Sequence, residues 1–346
     1  MHFGFSKWAL VIVQASGKQR MREVFKLDDL GEYHLTERLA SSVVTTESGK
    51  VNFHIRDQAI QFQERDHLYI LHPGTEMEAK FPISVSGLWG KYFEEFDAEA
   101  IIRRYFKVWA ESPRKDYFSV IQEYREKGES DEEIAERIRA GWMENGAIAS
   151  AQGTRMHRNI ELALGGQLYD GDGAEMLMFQ RFVKDWLEPR GWRVYRLEWS
   201  IYCSTAMVAG QIDAVFICNG EFHMIDWKRC KKVLDEDAGR EYGRFGCAPF
   251  ENLLDNPCNH YFVQQNLYGV ILERHYCVHL SSMWLCHIHP SYDSYHLIKV
   301  PDLLQQACMI LDEYALGRTE LMPWEFQLPC KSFSGGMLGA KKPRLN

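Results

Sequence analysis

The sequence has little of what marks a membrane or secreted protein. Its longest apolar run near the N-terminus, residues 8–13, is much shorter than the roughly 20 residues that a helix needs to span a bilayer. Neither a basic segment nor a small-residue cleavage site accompanies this run, so no signal peptide is predicted. Internal repeats and low-complexity tracts are absent as well. We therefore expect a soluble, intracellular protein with no membrane partner.

The number and spacing of the cysteines argue against a disulfide-stabilised protein. The nine cysteines are an odd number, and none of them form a C-x-x-C pair. Several, such as Cys218 and Cys286, lie inside apolar runs that are typical of buried strands. A disulfide framework would need an even, paired set, so free buried thiols in a reducing compartment are predicted.

The chain also has fewer basic than acidic residues. The chain has 40 basic and 48 acidic residues, which gives a formal net charge of −8. This balance excludes a uniformly basic protein that coats nucleic acid through its overall charge. The length of 346 residues is sufficient for two domains or for one large core with an appendage. Hydrophobic residues make up 46% and aromatic residues 13% of the chain, so a sizeable core can form.

The apolar pattern changes along the chain from strand-like to helical and then to mixed. Short alternating runs at 51–55 and 60–63 predict a β-rich N-terminal lobe over residues 1–82. A capping box at Ser130 and helical spacing around it predict a helical insertion over about 97–146. The elements predicted from residue 97 onward are helices at 97–110, 131–144, 147–164 and 174–187, strands at 193–203, 210–218 and 221–228, a helix at 259–273, strands at 276–289 and 294–299, and a helix at 302–316.

This order of elements predicts an α/β or α+β fold, with a central mixed sheet flanked by helices over residues 83–330. Residues 331–346 carry basic residues and no acidic ones, which predicts a flexible tail. Within that tail, residues 341–344 are also compatible with a nuclear-import signal, so a nucleus or another DNA-containing compartment is one possible location.

The segment 209–228 carries the most specific chemistry. Two apolar runs flank Asn219-Gly220, a pair typical of a two-residue hairpin turn. A turn of that length sets Asp213 opposite Asp226, and Lys228 then points to the same face. Two facing carboxylates in an apolar sheet are costly unless something compensates their charge, and a divalent cation such as Mg²⁺ or Mn²⁺ does so. The alternative is a buried Asp–Lys ion pair with the second carboxylate hydrogen-bonded at a strand end.

A second constellation lies on the predicted helix 147–164. His157 and Glu161 are four residues apart and share a face, so His157 can add a nitrogen ligand to an oxygen-rich metal site. Gly153, one turn earlier, is expected to let the helix approach another backbone closely. A packed or surface histidine, with Glu161 paired to Arg158 or Arg155, is the simpler alternative.

Taken in order, the motifs G-x-x-x-H-x-x-x-E, G-x-x-D, D-x-K and Q-x-x-x-Y resemble the RecB-type branch of the PD-(D/E)XK nuclease superfamily. The residues that carry the resemblance are Gly153, His157, Glu161, Gly210, Asp213, Asp226, Lys228, Gln264 and Tyr268. It covers about residues 83–316 and leaves the N-terminal lobe and the tail uncovered.

The resemblance implies a role for each matching residue. His157, Asp213, Asp226 and the backbone carbonyl of Trp227 would bind Mg²⁺ or Mn²⁺, and Lys228 would orient the attacking water. Glu161 would act in catalysis by supporting the histidine or a second metal. Gln264 and Tyr268 would contact the nucleic-acid backbone or hold the lysine. Glu198 is either a residue behind the metal ligands or an ordinary strand-surface residue.

The resemblance also implies partners and activity. Some members hold an iron–sulfur cluster through an upstream cysteine and a C-terminal cysteine triplet, and this chain has neither, so no cluster is predicted. Basic residues near the metal site are expected to bind DNA phosphates, namely Arg155, Arg158, Arg229, Lys231 and Lys232. The expected function is a metal-dependent DNA nuclease, in particular an exonuclease acting on single-stranded or free-ended DNA. The alternatives are a catalytically silent binding protein, a structure-specific endonuclease or an RNA nuclease of the same fold.

Overall fold

The computed structural model describes the backbone of residues 9–15 and 18–24, and residues 52–317 with their side chains except those of Glu64 and Tyr242. The tail 331–346 with its import-signal candidate, and most of the N-terminal 51 residues, lie outside this part of the chain. The strands are β1 (Ala9–Ala15), β2 (Lys18–Val24), β3 (Ile60–Gln63), β4 (Leu68–Leu71), β5 (Ala79–Lys80), β6 (Ile83–Ser84), β7 (Arg193–Cys203), β8 (Val208–Cys218), β9 (Glu221–Lys228), β10 (Leu280–His287) and β11 (His296–Lys299). The helices are α1 (Val85–Gly90), α2 (Ala98–Glu111), α3 (Phe118–Glu126), α4 (Asp131–Leu164), α5 (Ala174–Phe182), α6 (Glu188–Arg190), α7 (Pro257–Tyr276) and α8 (Leu304–Leu316).

The central sheet is mixed, which confirms the predicted fold class at the level of mixed α/β. Its strand order is β11-β10-β9-β8-β6, and β7 pairs with the other edge of β8. β10 runs parallel to β9, whereas β8 is antiparallel to both β7 and β9. The turn between β8 and β9 has positive φ at Asn219 (52°) and Gly220 (83°), as a two-residue hairpin turn requires.

Helices cover both faces of this sheet and bury two apolar layers. One layer packs Val215 and Met224 of the sheet with side chains of α1, α7 and α8. The other packs Ile225 and Trp227 with side chains of α4 and α5. Each fully buried apolar side chain in these layers contributes about 1.5–3 kcal/mol. The layers hold the ends of β8 and β9 at a fixed distance from α4 and α7.

The small sheet β3-β4-β5 shares the first of these layers with the central sheet. Ile60 and Leu71 belong to the same buried cluster as Trp199 of β7. A buried polar cluster also fastens the preceding segment to β7, because the Asp57 carboxylate accepts hydrogen bonds from Arg196 Nη1 (2.8 Å) and Trp199 Nε1 (3.0 Å). Residues 52–80 of the predicted β-rich lobe are thus packed on the central sheet.

Four of the predicted elements differ from the structure. The two helices predicted at 131–144 and 147–164 are one continuous helix, α4, because no capping residue or proline interrupts it and Gly146 leaves its hydrogen bonds intact. The strand predicted at 51–55 does not form over the described residues 52–54, and Ile55 instead begins a short 3₁₀ helix, Ile55–Ala59, which is capped by His54. The helix predicted at 174–187 ends at Phe182, continues as a π-helical turn over Val183–Leu187 and is followed by α6, which accepts Pro189 near its first turn.

The prediction of free thiols was wrong for Cys277. Cys277 is disulfide-bonded, and the other half of this disulfide lies outside the described residues. The seven other described cysteines are free thiols, three of them buried: Cys203, Cys258 and Cys286. No described helix is long and apolar enough to cross a bilayer.

Candidate metal centre

The site lies where β8 and β9 separate. The two strands pair from Cys218↔Glu221 to Ala214↔Ile225, in the register that the Asn-Gly turn predicted. On the same edge of β8, β6 pairs only with Val208 and Ala209. Among the described strands, none therefore pairs with residues 210–213 on that edge. Asp213 and Asp226 lie at this opening, where the predicted register sets them opposite each other one step beyond the last bonded pair, and both side chains are largely buried.

A side chain replaces the missing strand pairing. The Trp227 backbone N–H, which would otherwise continue the ladder, donates a hydrogen bond of 2.8 Å to Asp213 Oδ2. This contact satisfies a buried backbone donor and fixes the Asp213 carboxylate at the fork between the strands. The sequence predicted that the two aspartates would come together, and the fork explains how they do so without a complete ladder.

Three potential ligand atoms converge at this fork. His157 of α4, Glu198 of β7 and Asp213 of β8 each offer one atom, and these atoms all lie within 4.8 Å of one another. His157 Nδ1 is 3.5 Å from Asp213 Oδ2. Oxygen ligands of Mg²⁺ bind at about 2.1 Å, so two of them on opposite sides of the ion lie about 4.2 Å apart. The observed spacing needs only small shifts of side chains to hold such an ion.

Glu198 is the member of this group that the sequence left open. The pairs Leu197↔Ala214 and Trp199↔Ile212 flank it, which places it directly opposite Asp213. Its φ of 45° is in the left-handed region, which a non-glycine residue rarely adopts within a strand. Strained backbone of this kind is found at functional sites, where the surrounding structure holds it in place. The register between β7 and β8 would have identified Glu198 as the residue opposite Asp213. The sequence did not predict this register, because the predicted strand 210–218 starts two residues after β8 does and so leaves the short turn at 204–207 unrecognised.

Asp226 and Lys228 form an ion pair on the α7 side of the site. Lys228 Nζ lies 2.5 Å from Asp226 Oδ2, a charge contact that lacks hydrogen-bond geometry. Gln265 Nε2 of α7 donates a 2.8 Å hydrogen bond to Asp226 Oδ1. Lys228 Nζ donates at 3.3 Å to Gln264 Oε1 and lies 4.2 Å from the centre of the Tyr261 ring. The ion pair that the sequence offered as an alternative is therefore present, and it lies beside the three-ligand group rather than in place of it.

The buried charges shift the pKa values of these side chains in opposite directions. Burial, and then the Asp213 charge, raise the pKa of Asp226 to about 6. Burial and Asp213 also raise the pKa of Glu198 well above its usual range. Burial opposes ionisation of Asp213, but the facing His157, together with Lys228 and the Trp227 N–H, lowers its pKa below the usual value. The repulsion among three carboxylates is the electrostatic pattern that a divalent cation relieves.

His157 is held in its charged form by the same group. Burial lowers its pKa, but the Asp213 carboxylate more than compensates and raises the pKa to about 9. A metal ligand must instead present a neutral imidazole nitrogen. Binding of a cation would therefore release the His157 proton, which makes metal affinity dependent on pH.

The remaining predicted residues of α4 are arranged differently from expectation. Arg158 Nη1 donates at 2.8 Å to Glu161 Oε2, which is the simpler pairing that the sequence left open. Glu161 lies outside the three-ligand group. A Cβ added at Gly153 would meet no atom within 4 Å, so the prediction of a close backbone approach there was wrong.

Gly210 has the close contact that Gly153 lacks. A Cβ at Gly210 would lie 2.6 Å from Tyr268 Cε1, so the aromatic ring occupies the space that any larger residue would need. Tyr268 is only 5% exposed. It therefore packs α7 against the open segment of β8, whereas its motif partner Gln264 is the residue that contacts Lys228.

The predicted basic residues fall into two groups. Arg229 is paired with Glu175 of α5 at 2.9 Å, and Arg158 is paired with Glu161, so the charges of both are already partly neutralised. Arg155, Lys231 and Lys232 are exposed. These three retain the freedom to contact phosphates.

No family model matches this chain, and a search of the curated proteins finds no match. Among solved structures, the chain is similar to the crystal structure of SSO0001, with 16% sequence identity and a TM-score of 0.20. The alignment covers 33% of this chain and 44% of that one, so the chain spans less than half the length of SSO0001. A likeness this low supports no conclusion about fold or function.

Proposed function

We propose that this protein is a metal-dependent DNA nuclease of the RecB-type branch of the PD-(D/E)XK superfamily, acting as an exonuclease on single-stranded or free-ended DNA. The observation that carries the proposal is the convergence of His157, Glu198 and Asp213 beside the Asp226–Lys228 pair. Carboxylate and imidazole ligands suit Mg²⁺ or Mn²⁺, and a lysine beside them suits phosphoryl chemistry. The four motifs in sequence order support the same assignment.

The proposed chemistry assigns a task to each side chain. His157, Glu198 and Asp213 would hold the cation, with Asp226 and the Trp227 carbonyl as further donors. The bound ion would stabilise the negative charge that develops on the phosphodiester. Lys228 would hold the attacking water by hydrogen bonding, and Gln264 and Tyr261 would keep its ammonium group in place. Gln265 would fix the orientation of Asp226.

The test is an assay of the full chain on end-labelled linear DNA with Mg²⁺ or Mn²⁺. Replacing Asp226→Asn or Lys228→Ala is expected to reduce cleavage about 100-fold or more, because each removes a group that acts at the reacting phosphate. DNA binding should persist in both variants. Asp116→Asn and Lys184→Ala, at exposed positions away from the site, are the matched controls and should retain full activity.

The same assay distinguishes the alternatives. Degradation of linear single strands with circular single strands left intact indicates an exonuclease, whereas nicking of circles indicates an endonuclease. Parallel RNA substrates decide between the two nucleic acids. Cleavage that survives both site substitutions would refute the proposed site, and EDTA-insensitive binding without any cleavage would favour the silent binding protein.

A further inference from the structure

A cavity of about 240 Å³ lies between α4, the loop 170–173 and the start of α5. Gln152, Met156 and Asn159 line it from one face of α4, where residues three, four and seven apart lie side by side. Asp170 and Met176 are among the residues that line it from the opposite side. No residue of this wall belongs to the three-ligand group.

The cavity is nonetheless next to the candidate metal centre, because two residues that line it or pair with its wall are chain neighbours of His157 and Lys228. Met156 is the residue immediately before His157 on α4. Glu175, which also lines the cavity, pairs with Arg229, the residue immediately after Lys228. A ligand in this cavity would therefore belong to the part of the substrate next to the phosphate that is cleaved.

The polar side chains on the α4 wall are not hydrogen-bonded to other described residues. The side-chain amides of Gln152 and Asn159, and the guanidinium of Arg155, make no hydrogen bond to any other residue in the described part of the chain. Met156 and Met176 are 3% and 2% exposed and form an apolar floor. The two amides can hydrogen-bond the edge of a flat ring, and the two methionines offer it a polarisable surface.

The charges of the opposite wall determine what kind of group fits. Asp170 and Asp172 bring carboxylates to the cavity, which repel a phosphate but accept hydrogen bonds from amino groups. A volume of about 240 Å³ lies below the roughly 300–1,000 Å³ of sites for drug-sized ligands, so it admits one ring system and not a dinucleotide. Arg155 is exposed and can hold the phosphate attached to such a ring.

We propose that this cavity binds one nucleobase of the substrate strand and favours bases with an exocyclic amino group, such as adenine and cytosine, over thymine. The inference rests on the proposed nuclease function and adds base selectivity to it. Amides pair with two adjacent atoms of adenine, and carboxylates accept from the amino group of cytosine, whereas thymine has no amino group to donate. The cavity is a binding subsite, and its residues take no part in bond breaking.

The experiment compares kcat/KM of the full chain on end-labelled oligo-dA, oligo-dC and oligo-dT of equal length with Mg²⁺. The expected result is cleavage of oligo-dA and oligo-dC at least fivefold more efficient than of oligo-dT. Gln152→Ala and Asn159→Ala, singly and together, should lower the first two values to that of oligo-dT and leave oligo-dT unchanged. Asn145→Ala, an exposed amide on the same helix outside the cavity, is the matched control and should keep the preference.

The outcomes separate this inference from the function on which it rests. Equal cleavage of the three polymers by the unaltered protein, or a preference that persists in the double variant, would overturn base binding while the nuclease assignment stands. Failure of the unaltered protein to cleave any of the polymers with Mg²⁺ or Mn²⁺ would overturn both. Melting curves of the variants exclude a loss of fold as the cause of an altered preference.

Discussion

Glu198 is the residue of the candidate metal centre whose role the sequence did not assign and the structure reveals. It adds a third carboxylate to a buried group and adopts a backbone conformation that costs of order 1–3 kcal/mol. His157, Asp213, Asp226 and Lys228 were all found from spacing, because a two-residue turn and a helical repeat determine which of them are neighbours. Glu198 was not, because its position depends on the register of a second hairpin.

Glu198→Gln is expected to separate activity from stability. Removing the charge should weaken the response to Mg²⁺ and reduce cleavage, because one candidate ligand becomes neutral. The metal-free protein should gain about 1 kcal/mol of stability, since repulsion from Asp213 is relieved. Nuclease assays over a Mg²⁺ titration and thermal unfolding in EDTA measure the two effects. Glu221→Gln, exposed at the start of β9, is the control, and unchanged cleavage in Glu198→Gln would remove this residue from the site.

The two motif glycines are expected to respond to substitution in opposite directions. Gly210→Ala places a methyl group 2.6 Å from Tyr268 and should destabilise the fold by about 1–3 kcal/mol. Gly153→Ala meets open space within a helix and should stabilise the fold by about 0.5–1 kcal/mol. Denaturant unfolding of both variants tests this contrast, and equal shifts in their midpoints would contradict it.

At the scale of elements, α4 links two parts of the molecule that the sequence treated separately. Its first turns pack Ile134 and Ile138 with α2 and α3 in a small apolar cluster, and its last turns carry His157 to the sheet. The sequence placed a break near residue 145 because its apolar spacing is interrupted there. Backbone hydrogen bonds continue without an apolar face, so the 34-residue helix persists across the gap.

The cluster around Asp57 positions another element, β7. Its carboxylate binds Arg196 and Trp199, the residues on either side of Leu197 and Glu198, and the Arg196 and Asp57 side chains are only 1% and 4% exposed. Asp57→Ala removes the carboxylate that accepts from both Arg196 Nη1 and Trp199 Nε1, and should cost about 3–5 kcal/mol. Urea unfolding measures this loss. Asp66→Ala is the control: it breaks an exposed 3.9 Å pair with Arg65 and should cost less than about 1 kcal/mol. A similar cost for both substitutions would show that the cluster around Asp57 does not stabilise β7.

At the scale of the whole molecule, the net charge of −8 is compatible with a nucleic-acid enzyme because charge is distributed unevenly. Three carboxylates and Lys228 are concentrated at the fork between β8 and β9. Arg155, Lys231 and Lys232 remain exposed, while Arg158 and Arg229 are neutralised by neighbouring glutamates. The expected binding is local and salt-sensitive, with fewer phosphate contacts than the basic residues of the sequence alone suggest.

The stability of the whole fold is expected to fall in mild acid because of His275. Burial, together with Arg56 and Arg274, lowers its pKa to about 4, and its Nε2 has no hydrogen-bond partner. The unfolded chain binds this proton near pH 6.5 and the folded chain does not, so stability is complete above pH 6.5 and is lost as pH falls towards 4.

His275→Leu should remove about 1–2 kcal/mol of the loss in unfolding free energy between pH 7 and pH 5, because leucine has no proton to bind. Urea unfolding at the two pH values measures it. His279→Leu, an exposed histidine with 71% of its side chain accessible, is the control and should leave the pH dependence unchanged. The same pH dependence in His275→Leu as in the unaltered chain would contradict the prediction.

The sequence by itself determined the hairpin, the pairing of β8 with β9, the placement of His157 on a helix and the class of mixed α/β fold. These follow from local rules, namely turn chemistry and apolar periodicity, which act over a few residues. The tertiary structure alone decided that Glu198 joins Asp213, that Arg229 is already paired with Glu175, and that Tyr268 fills the space above Gly210. Those contacts join residues up to tens of positions apart, and they depend on strand register and helix packing, which no local pattern specifies.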